Sequence, residues 1–441
     1  MRWERCGTFG PGRATQSTRS VVYVSNEHPG MPMKNFDETV GQRLNGISTL
    51  TRSRGQVALV STYPPAMCGL ATFTESLRGA LAVARGDDRG LDVIELMDDR
   101  QSPPNDRQEV LARLDPADPT SMRTAAERLA GHDVVILQHE YGIWGPHMGR
   151  GVIEFAEMLR SGLITTLHTL LPRPSLIQEE IIKGLAQRSM FTVVQTCSGR
   201  DLLVRRYRVD PRSIVVIPHG TGRSLRSVAE ARRGRARSGA PRLLTWGLIG
   251  PGKGLEWSLR ALSFLKESHP DIRYTIAGRT HPKVLASEGE AYRQSLLAIV
   301  SSLGLEDNVD FIDDYLSQDT LDTLLTDTTI AVLPYDSSDQ MVSGVLVEAV
   351  SATVPVVATT FPHAVELAEG GAVATVPHRR PDSLAGAISR LLKSGTALEE
   401  MARAQRRMAV GFEWSKAARE YDQLIGAILR VKDARDVPTA S

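Results

Sequence analysis

The sequence predicts an α/β protein built from two doubly wound domains of similar size. Three observations carry this. Short continuous Val/Ile/Leu runs alternate with amphipathic stretches from Gln56 onward. The alternation breaks at an arginine-rich stretch, 221–241, and restarts at Arg242. The length, 441 residues, allows two or three domains at roughly 150 residues each.

In chain order, the first 54 residues are polar and rich in Gly, Pro, Arg and Ser, and are expected to be a disordered extension. They lack the apolar core of a secretory signal, and Met31 and Met33 offer alternative starts. Strands are expected at 56–62, 91–96, 133–138, 163–168, 191–196 and 213–218, with helical stretches at Thr72–Ala84, Met148–Leu159 and Ser198–Tyr207. Unbroken apolar strands of this kind are buried on both faces, as in parallel sheets. The stretch 221–241 holds six arginines and is expected to be a solvated surface loop, with phosphate or peripheral membrane contact as the alternative. Strands follow at 242–247, 272–278, 308–312, 329–334, 354–359 and 371–376. Near the end, Trp414, Ala418, Tyr421, Leu424, Ile425 and Ile428 form a helical stripe that needs a surface to cover. The expected boundaries are therefore an extension at 1–54, a first domain at 55–222, a linker loop at 223–240, a second domain at 241–410, a terminal helix at 411–431 and a tail at 432–441.

Composition narrows the function. Lys plus Arg is 52 against Asp plus Glu 51, which gives no charge asymmetry for nucleic acid. No apolar run approaches the roughly 20 residues that span a bilayer. Three widely spaced cysteines, Cys6, Cys68 and Cys197, encode neither a disulfide framework nor a zinc ribbon, and point to the reducing cytoplasm.

The chemistry concentrates in a glycine-rich turn, Gly247 to Gly254, between a strand and the helix beginning at Leu255. Such a turn lets backbone N–H groups approach an anion, and Lys253 adds a full charge. Taken literally, Gly247-x4-Gly252-Lys253 begins a Walker A loop, but Gly254 stands where Ser or Thr must hold Mg²⁺. A plain strand-to-helix turn is the structural alternative. Some 90 residues on, Ser343 can cap a short apolar helix, with Gly344 allowing close approach and Glu348 inside it. A carboxylate there needs partners, either a ribose diol or a structural arginine. In the first domain, Gly69 opens a helix after Pro64-Pro65, and His139, Glu140 and His168 end strands. Ligands of open α/β sheets sit at that edge, although a strand-end histidine is often only a hydrogen-bonded structural residue.

The GPGKG turn, SGVLVEA followed by VPVVAT, and the segments STYPPAMCGLATFT, LQHEYGIWG and AGRTHP together resemble retaining glycosyltransferases of family 4, over roughly residues 56–430. The resemblance implies a GT-B fold, two Rossmann-like domains facing a cleft, with the terminal helix packing back on the first domain. It implies transfer of a sugar from a nucleotide-sugar to a glycan or small-molecule acceptor with retention. Lys253 would hold the donor diphosphate, Ser343, Gly344 and Val345 would touch it through their amides, and Glu348 would bind the ribose. Gly69 would face the diphosphate, and His139 the donor sugar beside the reacting centre. His168, Glu140 and His281 are further candidate contacts. The sequence departs from the family twice. Leu248 replaces the arginine of Gly-Arg-x4-Lys-Gly, for which Arg279 can compensate, and Gln340 replaces the first glutamate of Glu-x7-Glu, keeping hydrogen-bonding capacity near the sugar without the charge. No Asp-x-Asp motif follows a strand, and Asp98-Asp99 and Asp313-Asp314 read as solvated charges, so neither metal nor other cofactor is expected. The competing readings are a non-catalytic sugar-nucleotide-binding protein, motivated by Leu248 and Gln340, and a nucleotide hydrolase.

Overall fold

The computed structural model describes residues 55–97, 105–222, 224–233, 239–337 and 341–436. The expected extension 1–54, the Asp98-Asp99 pair, Gln340 and residues 437–441 lie outside the described residues.

Two all-parallel sheets form the molecule. The first contains β1 (Val57–Ser61), β2 (Leu91–Leu96), β3 (Val110–Leu114), β4 (Val134–His139), β5 (Gly162–Leu167), β6 (Phe191–Val194) and β7 (Ile214–Val216), in the order β3-β2-β1-β4-β5-β6-β7. The second contains β8 (Arg242–Trp246), β9 (Arg273–Ala277), β10 (Val309–Ile312), β11 (Ile330–Leu333), β12 (Val356–Thr359) and β13 (Ala374–Val376), in the order β10-β9-β8-β11-β12-β13. Each is a doubly wound sheet whose order reverses once, between β1 and β4 and between β8 and β11. At such a switch point the connecting loops part and leave a crevice beyond the strand ends. Fully buried strands such as β1, β4, β11 and β12 match the continuous apolar runs that announced them.

Three expectations need correction. The edge strand β3 carries no unbroken apolar run, since an edge strand is only half-buried and Arg113 on it pairs with Glu95 of β2 at 3.4 Å. The stretch expected as a linker loop contains the helix Ser224–Ala231, whose Leu225 and Val228 join the second-domain core at helical spacing, with Ala229 buried beside them. Arg232, just beyond it, donates to the carbonyls of Leu325, Thr326 and Thr328, closing the end of the helix Gln318–Asp327; residues 223 and 234–238 lie outside the description. The terminal helix runs Trp414–Asp436, past the expected tail boundary, because no Gly or Pro interrupts Val431–Asp436.

That helix returns to the first domain. Ala417, Ala418, Tyr421, Leu424, Ile425 and Ile428 are buried with Phe73, Leu77 and Leu81 of the helix Gly69–Arg85. Tyr421 Oη and Thr166 Oγ1 are 2.8 Å apart, and the Trp414 ring meets Phe73 at 4.9 Å. The chain crosses between domains near Thr221 and Phe412, and the two crossings bind one another: Thr221 N–H donates to Phe412 O at 2.6 Å. A Cβ at Gly220 would lie 2.2 Å from the Trp414 ring, so only glycine lets the crossings close up.

Candidate active site

At the second switch point, the turn after β8 presses against the end of β11. A Cβ at Gly254, whose φ is +66°, would lie 2.0 Å from Pro334 O, and Asp336 N–H donates to Gly252 O at 2.9 Å. Glycine therefore allows the approach that brings Lys253 over the switch point. Its Nζ lies 4.3 Å from the centroid of the Tyr335 ring.

The helix Gly344–Ser351 begins beside this turn, since a Cβ at Gly247 would lie 3.3 Å from Val345 Cγ2. Ser343 caps it as expected: its Oγ accepts from Leu346 N–H at 3.2 Å. The Ser343 N–H is already engaged, donating to His363 Nδ1 at 3.0 Å. Gly344 and Val345 are the first two residues of the helix, so the helix itself cannot satisfy their amides. Glu348, one turn on, accepts from Trp246 Nε1–H at 2.8 Å. No arginine pairs with it among the described residues, so the structural-arginine alternative falls away; burial pushes its carboxyl up to about 6. Arg279 is exposed after β9, while its carbonyl accepts from Ile249 N–H at 2.8 Å. His281 caps the helix Pro282–Glu288, its Nδ1 accepting from Lys283 N–H at 3.2 Å.

At the first switch point, Gly69 is exposed and starts the helix Gly69–Arg85, with nothing within 4 Å of a Cβ built there. His139 is the last residue of β4 rather than the first beyond it. It is fully buried and neither ring nitrogen has a protein partner; burial holds it down to about 3, so the ring is neutral. His168 follows the adjacent β5, and its N–H donates to His139 O at 3.0 Å. The register pairs His139 with Leu167, so the two imidazoles turn to opposite faces of the sheet. His139 packs edge-on to Tyr141 at 4.9 Å and His168 edge-on to Phe73 at 4.8 Å. Both His168 nitrogens are engaged, Nδ1 accepting from Gln195 at 3.2 Å and Nε2–H donating to Gln138 at 2.6 Å. Both ring nitrogens of His168 are thus engaged by glutamine side chains in this arrangement. Glu140 accepts from Thr169 Oγ1; burial raises its carboxyl, opposed by that hydrogen bond and by Lys283.

The second domain reaches the first at several points. Lys283 Nζ donates to Gly142 O at 2.9 Å. Glu366 accepts from the N–H groups of Cys197 and Ser198, both at 3.0 Å, and from Ser198 Oγ at 2.8 Å. Met341 is buried in the first-domain core. Two histidines outside the sequence reading complete this seam. His219 donates Nδ1–H to Gly220 O at 2.8 Å, and its Nε2 lies 3.4 Å from a Cβ built at Gly344. His363 holds the Ser343 amide. His219 directly follows the strand expected at 213–218, so the strand-end rule that marked His139 would have found it, whereas His363 lies within the helix Pro362–Glu369 and carries no such signal.

Trp246 and Gly247 thus meet the helix Gly344–Ser351 through Glu348 and Val345, and the same turn carries Lys253 over Tyr335. His139, Glu140 and Gly69 lie at the facing edge of the other sheet. The chain has the GT-B fold. Residues 240–394, the second domain, match the family model described as "Glycosyl transferases group 1". Among solved structures, HepE of Anabaena in complex with UDP aligns with 84% of this chain and 100% of its own, at 15% identity and TM-score 0.67. Sucrose-phosphate synthase of Thermosynechococcus elongatus aligns over 85% and 100%, at 18% identity and TM-score 0.66. A glycosyltransferase of Rickettsia africae aligns over 86% and 99%, at 16% identity and TM-score 0.65. No curated protein matches the chain. No helix among the described residues is long and apolar enough to cross a membrane.

Proposed function

We propose that this chain is a retaining glycosyltransferase of the family 4 type that moves a sugar from a nucleotide-sugar to a glycan or small-molecule acceptor. The observation that carries the reading is the grouping of one cation, two helix-start amides and one carboxylate at a single switch point, within the part matched by the glycosyltransferase model. Similarity of fold to a protein solved with UDP agrees with it.

In this reading Lys253 and the amides of Gly344 and Val345 receive the diphosphate, where the helix terminus adds its partial positive charge. Glu348 accepts from the ribose hydroxyls, and Trp246 fixes its second oxygen. Arg279 approaches the phosphates in place of the missing arginine, and Gly69 leaves them room from the first domain. His139 contacts the sugar, and Gln340 contributes a hydrogen bond to a sugar hydroxyl. The bond from the anomeric carbon to the phosphate oxygen breaks, and the acceptor oxygen bonds to that carbon on the same face. The departing phosphate takes the acceptor proton. The charge that develops on the diphosphate is met by pre-placed donors, without a metal ion. The reading places the protein in the cytoplasm, where nucleotide-sugars are made.

Calorimetry with UDP-, GDP- and ADP-sugars tests it. One of them binds the native protein and binds Lys253→Ala more weakly; a protein that binds none is not this enzyme. If donor binds but no transfer or donor hydrolysis exceeds the Lys253→Ala level, the protein is a sugar-nucleotide-binding protein without catalysis.

A further inference from the structure

Lys253 stands alone as the fixed cation of the turn, because Leu248 occupies the position where the resembled family has arginine. A lysine ammonium on a four-carbon stem is a point charge with many rotamers, and a nearby carboxylate would capture it. The structure counters both tendencies with the residues that end β11.

We propose that the Tyr335 ring is the positioning residue for Lys253: it seats the ammonium over its face, unpaired with any carboxylate among the described residues, ready for the donor diphosphate. The inference rests on the diphosphate reading above and adds to it the side chain that aims the charge. Lys253 Nζ lies 4.3 Å from the ring centroid, within the range of a favourable cation–π contact. The ring itself cannot swing. Tyr335 is 2% exposed and stacks on the fully buried Phe361 at 5.1 Å with an interplanar angle of 25°. Its carbonyl accepts from Thr359 Oγ1 at 2.5 Å and from His378 Nδ1–H at 2.9 Å, so its backbone is pinned as well.

The turn is fixed to the same strand end through Asp336 N–H to Gly252 O and through the contact of Gly254 with Pro334. Ring and ammonium therefore share one frame. The nearest competitor in sequence is Asp336, and its carboxylate is occupied by Arg379, whose Nε donates to both oxygens at 2.7 and 2.8 Å. Among the described residues no carboxylate pairs with Lys253. The Tyr335 hydroxyl is buried without a partner, so the ring and not the hydroxyl is the useful part.

The test uses the full chain and inorganic pyrophosphate as probe, with affinities from calorimetry. Tyr335→Leu removes the seat and weakens pyrophosphate about three- to tenfold, while Tyr335→Phe, which keeps the ring, restores the affinity. On a Lys253→Ala background, Tyr335→Leu causes no further loss. Native-like binding by Tyr335→Leu, or an equal loss on both backgrounds, overturns the proposal. Lys253→Ala binding pyrophosphate as the native protein does would overturn the site reading itself, a different outcome from Tyr335→Leu failing alone. Should Tyr335→Leu not fold, the ε-methylene protons of Lys253 decide in the native protein and in Tyr335→Phe. An upfield ring-current shift in both supports the seat, and ordinary shifts overturn it.

Discussion

Trp246 Nε1–H donates to Glu348 Oε2 at 2.8 Å, tying the last residue of β8 to the helix Gly344–Ser351. One hydrogen bond thus links the glycine turn that bears Lys253 to the carboxylate proposed for the ribose. It fixes one oxygen of Glu348, and the other is the one proposed to meet the ribose.

Burial pushes the Glu348 carboxyl up to about 6 from an ordinary value near 4.5. A raised acid favours its protonated form in the folded state. Its contribution to stability is present below pH 4.5 and is lost as pH rises through about 6. Glu348→Gln should therefore raise the melting temperature at pH 7.5 and leave it unchanged at pH 4, the difference corresponding to about 1–2 kcal/mol. Equal effects at both pH values would show that the group's charge is not at issue.

The same titration shapes ligand affinity. Nucleoside diphosphate should bind more weakly as pH falls below about 6, because a protonated Glu348 loses an acceptor for the ribose diol. Glu348→Ala should abolish that pH dependence and spare inorganic pyrophosphate. Calorimetry across pH 5–8 checks it, and equal losses for both ligands would mark Glu348 as structural.

Glu366 receives three hydrogen bonds from Cys197 and Ser198 across the domain seam. Glu366→Ala leaves two half-buried amides without their acceptor and should cost about 1–3 kcal/mol. Thermal unfolding reads the loss, and faster alkylation of Cys197 by iodoacetamide reads the opening of the seam. Unchanged alkylation would mean that the contact does not hold the domains together.

His139 should matter for turnover more than for donor affinity, because the proposed nucleotide contacts lie across the cleft on the second domain. His139→Ala should lower kcat by roughly a hundredfold or more, the scale of a lost contact at the reacting centre, with nucleoside diphosphate affinity within twofold of native. Intact turnover would remove the histidine from the reacting centre.

Much of the fold is legible in the amino-acid sequence. Buried parallel strands need apolar side chains on both faces, so β1, β4, β8, β11 and β12 stand out as unbroken runs, and Ser343, Gly344 and Glu348 sit where the capping pattern put them. The edge strand β3 was hidden because half-burial needs no such run. The helix Ser224–Ala231 was hidden because its three buried apolar positions, Leu225, Val228 and Ala229, lie within a stretch that holds six arginines. Which histidines have free nitrogens was beyond the sequence: His139 and His168 read alike as strand ends, and only the register and Gln138 and Gln195 distinguish them. The Tyr335 seat was equally invisible, since it joins residues 82 positions apart through the loops at one switch point.

The most direct test of the account is discharge of a nucleotide-sugar. The native protein is incubated with the donor that calorimetry selects, with and without EDTA, and release of nucleoside diphosphate is followed beside Lys253→Ala. The account predicts release by the native protein that EDTA does not diminish and that Lys253→Ala reduces at least tenfold. Release that stops with EDTA, or that is equal in native protein and Lys253→Ala, would contradict it.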